Sequence, residues 1–235
     1  MPYDFKKEKL YRAGDRPEIV TVPPANYAAV RGKGDPNTPD GAYQQALAVL
    51  YTVAYTLKTS SKKGRTISGF FDYVVPPLEG FWWQEGVDGA DYGRKEDFCW
   101  ISVLRLPDFV TEADFAWAVE DATCRKKQDC SAAELLTVDE GLCVQALHTG
   151  PFESEPETIA FMDRFLAENG YVTDITDHRL HHEIYRSDAR KTTPDHWRTI
   201  LRHPVRKISP CLSRSGKAYA VPELKITSMW RDRLC

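Results

Sequence analysis

Short apolar runs and helically spaced apolar residues follow each other in the same order twice along the chain. β-Branched and aromatic runs are typical of strands, and apolar residues three and four positions apart are typical of amphipathic helices. The first half predicts a strand at 18–30, a helix at 42–58 and strands at 70–75 and 98–106, with a further apolar segment at 78–83. The second half predicts a strand at 140–149, a helix at 157–168 and strands at 180–186 and 197–202.

Polar and glycine residues indicate where the predicted helices begin and end. Asp40 is expected to cap the helix at 42–58, and Thr111 is expected to cap a linking helix at 112–127, because a short oxygen-bearing side chain can accept from a free helical N–H. Gly170 is expected to end the helix at 157–168, because glycine adopts the left-handed conformation of a helix end without strain.

The repeated order predicts a duplicated βαββ unit and therefore an α+β fold with pseudo-twofold symmetry. The simplest arrangement fuses the two units into one antiparallel sheet with the helices packed on one face. We align residues 73–75 of the first unit with 183–185 of the second. The seam between the halves is where a cleft is expected.

This pattern predicts one domain with an appended tail. The domain covers 1–208, its half-repeats lie at about 18–107 and 138–206, and the residues 209–235 form a C-terminal extension with little periodicity. A chain of 235 residues is long enough for such a core.

Composition and charge narrow the class of protein. The net charge of −3 and the pI of about 6.1 argue against a general nucleic-acid binder, which would carry a basic face. The polar N-terminus lacks the apolar region of a secretory signal, and no apolar run is long enough to span a membrane. None of the six cysteines forms a Cys-x-x-Cys pair, so we expect a cytoplasmic protein without disulfides or structural zinc.

Glu183 is the first candidate for a functional residue. Strand alternation places His181, Glu183 and Tyr185 on one face of the sheet and His182 on the other. A carboxylate beside a tyrosine is a candidate general base, or a counter-ion for a cationic ligand, if that face lines a cleft. If the face is solvated instead, Glu183 is an ordinary surface residue. Because His181 and His182 point to opposite faces and cannot easily bind one ion together, we expect no metal. The Gly-x-Gly segment at 32–34 lacks the third glycine of a dinucleotide-binding loop, so we expect no other cofactor.

Aromatic residues make up 11% of the chain and are the second candidate group. The rings singled out for a ligand pocket are Trp82, Trp83, Trp100, Tyr51, Tyr55, Tyr73 and Phe152, with Trp197 in the same set. Singly, each is better explained by core packing, but together they favour a stacking pocket at the seam. His148 lies at a predicted strand end, which suits either a turn or a pocket rim.

The sequence resembles the GyrI-like small-molecule-binding family, in particular its stand-alone bacterial branch, which includes cyclopropanoid cyclopropyl hydrolases. The segments that carry the resemblance lie at 32–37, 50–58, 73–83, 107–109, 148–152, 181–185 and 199–205. They follow the family's order from about residue 5 to 207. Pro76 departs from the pattern, which has a larger apolar residue there, and this alters the expected pocket wall near Trp82.

The resemblance implies a tandem βαββ fold with a pocket for bulky aromatic, often cationic, compounds between its halves. It also implies that Glu183 lies at the pocket floor. Some relatives hydrolyse cyclopropane-bearing DNA alkylators, and in that reaction Glu183 would activate a water while Tyr185 or Tyr73 donates a hydrogen bond to the forming phenolate.

Three functions therefore stand at this point. The first is a cytoplasmic hydrolase of cyclopropanoid toxins that gives toxin resistance, with Glu183 and Tyr185 as catalytic residues. The second is a pocket that binds and sequesters the same aromatic ligands without turnover. The third is a protein-interaction module such as a gyrase modulator, although nothing in the sequence indicates a protein partner. No membrane association and no direct nucleic-acid binding are expected in any of the three.

Overall fold

The computed structural model describes residues 1–87, 89–188 and 191–208, and the predicted extension at 209–235 lies outside them. The helices are α1 (Ala42–Lys58), α2 (Glu112–Lys126) and α3 (Glu155–Glu168). The strands up to α2 are β1 (Tyr3–Asp4), β2 (Glu18–Val22), β3 (Ala25–Lys33), β4 (Tyr73–Val74), β5 (Leu78–Gln84) and β6 (Phe98–Arg105). Those after it are β7 (Glu134–Val138), β8 (Gly141–Thr149), β9 (Tyr171–Thr173), β10 (His181–Tyr185) and β11 (Arg198–Lys207).

One large antiparallel sheet joins the two halves. Its strand order is β2-β8-β11-β10-β5-β6-β3-β7, and β9 pairs with β11 beside this path. The units β3-α1-β5-β6 and β8-α3-β10-β11 are arranged with the same internal order on either side of the β10–β5 pair. This arrangement confirms the α+β fold and the fused antiparallel sheet predicted from the repeated pattern.

The edges of the sheet exchange strands between the halves. β2 precedes β3 in the chain but pairs with β8, and β7 precedes β8 but pairs with β3. Each half therefore completes the outer edge of the other, which ties the two repeats into one body.

The alignment of 73–75 with 183–185 is wrong. β10 pairs across the seam with β5, so β5 is its equivalent in the first half. Tyr73 and Val74 form β4 instead, which pairs in parallel with β1 outside the large sheet. The prolines at 76 and 77 separate β4 from β5, because proline has no N–H to contribute to a strand ladder.

The helix boundaries largely follow the sequence pattern. Thr111 caps α2 in a capping box with Asp114, as predicted. The N-cap of α1 is Gly41, so the prediction for Asp40 is wrong. The backbone of Asp40 has a φ of 53°, outside the extended conformation that directs a capping side chain to the free helical N–H groups. Gly170 has a φ of +76° just after α3, in agreement with a helix end there.

Both α1 and α3 pack on the same face of the sheet, here called the helix face. Leu50 and Val53 of α1 join a core with Trp100 and Leu104 of β6. Met162 and Leu166 of α3 form a second core with sheet residues of the other half. The two helices cover the two halves separately, which leaves the seam between them available for a site.

The opposite face carries a buried polar network at the seam. His182 lies between two carboxylates, with Nδ1 2.9 Å from Glu140 Oε2 and Nε2 3.0 Å from Glu79 Oε2. Arg202 Nη1 donates to Glu140 Oε1 at 2.8 Å, and Tyr11 Oη donates to Glu79 Oε1 at 2.6 Å. Two cations therefore face two carboxylates, as a buried charge cluster requires if it is to be compensated. The N-terminal segment, through Tyr11, is held against this face.

Candidate functional site

A groove opens on the helix face above the β5–β10 seam. Its walls are α1 on one side and the turn at 151–155 before α3 on the other. The side chains that line it on this face are Tyr43, Leu47, Tyr51, Tyr55, Trp82, Tyr92, Phe152, Glu155, His181, Glu183, Tyr185 and Trp197. The lining of the groove is thus predominantly aromatic, and Glu155 and Glu183 bring carboxyl groups to its floor.

Glu183 lies on the floor of this groove, in the middle of β10. It pairs with Gly80 of β5 on one side and Leu201 of β11 on the other, and 9% of its surface is exposed. Alternation along β10 puts His181 and Tyr185 on the same face and His182 on the opposite one, as predicted from the sequence. Glu183 is therefore a buried carboxyl that faces an aromatic groove.

His181 contacts Glu183, and His203 in turn contacts His181. His181 Nε2 lies 3.1 Å from Glu183 Oε1, and His181 Nδ1 lies 2.6 Å from His203 Nε2. Burial, followed by the neighbouring His181, holds the pKa of His203 well below its usual value, so His203 is neutral at physiological pH. A neutral His203 that donates from Nε2 leaves His181 free to donate its own Nε2 proton to Glu183.

Glu155 brings a second carboxyl to the floor from the first position of α3. It is 1% exposed, and its Oε1 atom has no hydrogen-bond partner. Among the described residues, Glu155, His181 and Glu183 offer ligand atoms that lie within 4.8 Å of one another. Burial, with the charge of Glu183 second, holds the pKa of Glu155 well above its usual value.

Tyr185 and Trp82 form the polar end of the aromatic floor. The indole N–H of Trp82 donates to the hydroxyl oxygen of Tyr185 at 2.8 Å. Gly80 leaves room for this bond, since a Cβ at Gly80 would lie 2.6 Å from Trp82 Nε1 and 3.2 Å from Tyr185 Oη. Burial, followed by the charge of Glu183, raises the pKa of Tyr185 well above its usual value, so the phenol keeps its proton.

Rings on both walls complete the groove. Phe152 lies against Trp197 with ring centroids 4.9 Å apart and against Tyr185 at 6.0 Å. On α1, Tyr51 is half-buried and Tyr55 is 51% exposed, with their centroids 6.5 Å apart. The structure therefore brings these predicted rings to the same groove as Glu183.

Four other predicted residues offer no exposed side chain beside Glu183 on the floor of the groove. Trp83 points to the opposite face of the sheet and packs beside Phe81 and Ile101. Tyr73 is buried against Phe5 and the N-terminal segment on that same face.

The other two lie on the helix face but are enclosed by the protein. Trp100 is 1% exposed beneath Tyr43, at a centroid distance of 5.1 Å. His148 holds the turn before α3, since its Nδ1 lies 2.9 Å from Thr158 Oγ1 and its Nε2 lies 3.1 Å from the Pro151 carbonyl oxygen.

Sequence reasoning missed the residues that reach the floor from distant segments, namely Glu155, His203, Tyr43 and Tyr92. The sequence pattern predicts that the helix begins at 157, which leaves Glu155 outside it. Pro156 in the first turn of α3 was the available signal, since proline favours that position. No sequence signal connects the loop residue Tyr92 with the floor.

The fold and the groove define a class of protein. It is a two-repeat α+β protein with an aromatic small-molecule pocket at its seam. The family model of the GyrI-like small molecule binding domain matches residues 15–206. The chain belongs to the GyrI-like family.

Solved structures from Listeria innocua are similar over the same region. Two, each described as a hydrolase, are 43% and 44% identical to this chain, with TM-scores of 0.79 and 0.81. They cover 87% and 88% of this chain and all of their own. A third, described as an uncharacterized conserved protein, is 46% identical, has a TM-score of 0.79, and covers 87% of this chain and all of its own. No curated protein matches the chain. None of the described helices is both long and apolar enough to cross a membrane.

Proposed function

We propose that this protein binds planar aromatic electrophiles, neutral or cationic, in its groove and hydrolyses those that carry a cyclopropane. In a cell, this reaction would protect DNA from cyclopropane-bearing alkylators. The observation that carries the proposal is the position of Glu183, a buried carboxyl on the floor of a groove walled by aromatic rings.

The groove supports binding of a flat ligand. Trp82, Phe152 and Trp197 are half-buried and offer faces and edges to an aromatic body, and Tyr51 and Tyr55 on α1 offer a second wall. Stacking of aromatic rings contributes about 0.5–1.5 kcal/mol per pair beyond the buried area. A ligand held between these walls would present its reactive end to Glu183.

The reaction adds one water across one carbon–carbon bond. The water oxygen attacks the cyclopropane CH₂, and the bond from that carbon to the ring system breaks. The released electron pair moves through the conjugated dienone to its oxygen, which gives an aromatic phenolate. Glu183 accepts a proton from the water and later returns it to solvent, and the phenolate takes a proton from solvent. The product is a ring-opened alcohol with a restored phenol. Tyr185, held by Trp82, positions Glu183 for this transfer.

The names of two relatives support turnover over passive sequestration. Both Listeria structures described as hydrolases share more than 40% of their residues with this chain over their full length. The groove supports the same choice, because Glu183 on its floor is a candidate base for the water. General-base assistance accelerates such a step by about 10²–10⁴-fold.

Mass-spectrometric turnover of a spirocyclopropyl cyclohexadienone tests the proposal. We expect the wild type to convert it to the product one water heavier, and Glu183→Gln to slow this by about 10²–10⁴-fold. Binding of a planar cationic dye, followed by fluorescence, should remain within a few-fold in Glu183→Gln. Glu157→Gln is the matched control, because Glu157 is an exposed carboxylate on the outside of α3.

Two outcomes would contradict this function. Tight dye binding without product in the wild type would make the protein a sequestering pocket. Equal turnover in the wild type and Glu183→Gln would remove Glu183 from the reaction.

A further inference from the structure

Glu155 is a buried carboxyl on the groove floor that the mechanism above does not use. It begins α3, is 1% exposed, and presents Oε1 without a hydrogen-bond partner. An ionised carboxylate in such a place would leave a desolvated charge only partly compensated, which is costly. A neutral carboxyl group avoids that cost and can both donate and accept a hydrogen bond.

The two carboxyl groups on the floor are close enough for a charge on one to oppose a charge on the other. The ligand oxygens of Glu155 and Glu183 lie within 4.8 Å of each other, and like charges at such separations push the first and second ionisations apart. The charge of Glu183 therefore adds to burial in raising the pKa of Glu155.

The groups that surround the two carboxyl groups differ. Glu183 Oε1 lies within hydrogen-bond distance of His181, and the phenol of Tyr185 lies against the same carboxyl. Glu155 has the hydroxyl of Tyr92 beside one oxygen, whereas its Oε1 has no partner and the charge of Glu153 lies nearby. The donors from His181 and Tyr185 thus lie at Glu183, whereas burial and the charges of Glu183 and Glu153 hold the pKa of Glu155 above its usual value. The titratable and charged groups that face Glu155 are Tyr92, Glu153, His181, Glu183 and Tyr185, with His203 behind His181 and Lys95 paired with Glu153.

We propose that Glu155 is a positioning residue that keeps its proton while Glu183 carries the charge, and that the two carboxyl groups together hold the attacking water. This inference rests on the proposed hydrolysis. Two oxygens up to 4.8 Å apart can each reach one water at hydrogen-bond distance. Glu155 donates to the water oxygen, Glu183 accepts from the water, and the remaining lone pair of the water faces the cyclopropane CH₂. As the C–O bond forms, the water proton passes to Glu183 and Glu155 retains its own.

The sharpest test compares the same isosteric substitution at both positions. Glutamine resembles a protonated glutamic acid, so we expect Glu155→Gln to keep turnover within about tenfold of the wild type, whereas Glu183→Gln loses about 10²–10⁴-fold. Glu155→Ala removes the positioning group, and we expect it to lose about 10²-fold in kcat with dye binding intact. Loss of turnover in Glu155→Gln as deep as in Glu183→Gln would overturn the proposal, because it would mean that Glu155 acts as an anion.

The pH dependence gives a readout that a merely structural role would not move. Wild-type turnover should fall as pH rises and Glu155 loses its proton. Glu155→Gln cannot lose that proton, so this alkaline decline should be absent, whereas the Glu157→Gln control should retain it. An identical alkaline decline in wild type and Glu155→Gln would also overturn the proposal.

A measurement on the ligand-free protein separates failure of this proposal from failure of the proposed function. The carbonyl stretch of a protonated carboxyl in the infrared spectrum at neutral pH should be present in wild type and weaker in Glu155→Gln. If the wild type shows this band but no turnover, the proposal of a protonated Glu155 is retained and the proposed hydrolysis is wrong. If turnover is found but the band is unchanged in Glu155→Gln, the proposal of a protonated Glu155 is wrong and the proposed hydrolysis is retained. Turnover that a chelator abolishes and a divalent metal ion restores would instead make the cluster a metal site and refute the proposal of a protonated Glu155.

Discussion

Glu140→Gln should destabilise the protein by removing one charge from the buried network behind the seam. Glu140 accepts from Arg202 at 2.8 Å through Oε1, and its Oε2 lies 2.9 Å from His182 Nδ1. Glutamine preserves the shape of the side chain, but it leaves the positive charge of Arg202 without its carboxylate. Breaking a buried ion pair by neutralising one partner costs about 3–5 kcal/mol.

The pKa of Glu140, which the same contacts determine, leads to a similar magnitude. Burial alone would raise that pKa, but the cations His182 and Arg202 outweigh burial and lower it from 4.5 to about 2. Each pKa unit is worth about 1.4 kcal/mol, so the charged form of Glu140 contributes about 3 kcal/mol to folding. Because the folded-state pKa is the lower one, this contribution is complete above pH 4.5 and is lost as the pH falls toward 2.

Urea unfolding at two pH values tests this reasoning. At about pH 6 we expect Glu140→Gln to lose about 3 kcal/mol of unfolding free energy, and at about pH 3 we expect the difference from the wild type to shrink to less than half of that. The higher pH is chosen because the net effect of Glu140 and Glu79 raises the pKa of His182, which therefore keeps its proton in the folded state there.

A surface ion pair provides the matched control. Glu134 Oε1 lies 2.6 Å from Arg31 Nε, but both side chains are about half exposed. Glu134→Gln should therefore change stability by about 0–1 kcal/mol at either pH. A difference between the wild type and Glu140→Gln that is the same at both pH values, or no larger than that of Glu134→Gln, would refute the argument.

Two further substitutions test local features of the fold by thermal or urea unfolding. Thr111→Ala removes the capping box of α2 and should cost about 1 kcal/mol; an unchanged midpoint would mean that water replaces the cap. Gly32→Ala places a Cβ 2.2 Å from Trp100 Cη2 and should cost about 1–3 kcal/mol; full stability would mean that the Trp100 ring moves freely, against its complete burial.

The fold was predictable where one physical signal decided each element. The apolar spacing of 42–58 gave α1 with its observed bounds, and Thr111 gave the start of α2, because both signals are local. Pairing between strands is not local. The alignment of 73–75 with 183–185 failed because β-branched character alone cannot distinguish β4, which pairs with β1, from β5, which forms the seam.

The sequence predicts which side chains share a face within one strand, but not which residues from distant segments meet at the site. Alternation on β10 correctly placed Glu183 with His181 and Tyr185. The same alternation places Trp82 and Trp83 on opposite faces, so only Trp82 can face the groove. Glu155 could not be connected with Glu183, because the contact depends on how the first turn of α3 meets the sheet.

β10 links the groove to the network behind it through two adjacent residues. Glu183 faces the groove, and His182 stacks on Phe81 at 4.1 Å and contacts Glu79 and Glu140 on the opposite face. A shift of the strand by one residue would exchange these two side chains and place a histidine on the groove floor. The charges on the back face oppose such a shift, because His182 would leave both of its carboxylate partners. The network therefore fixes the register that keeps Glu183 opposite Gly80 and on the floor of the groove.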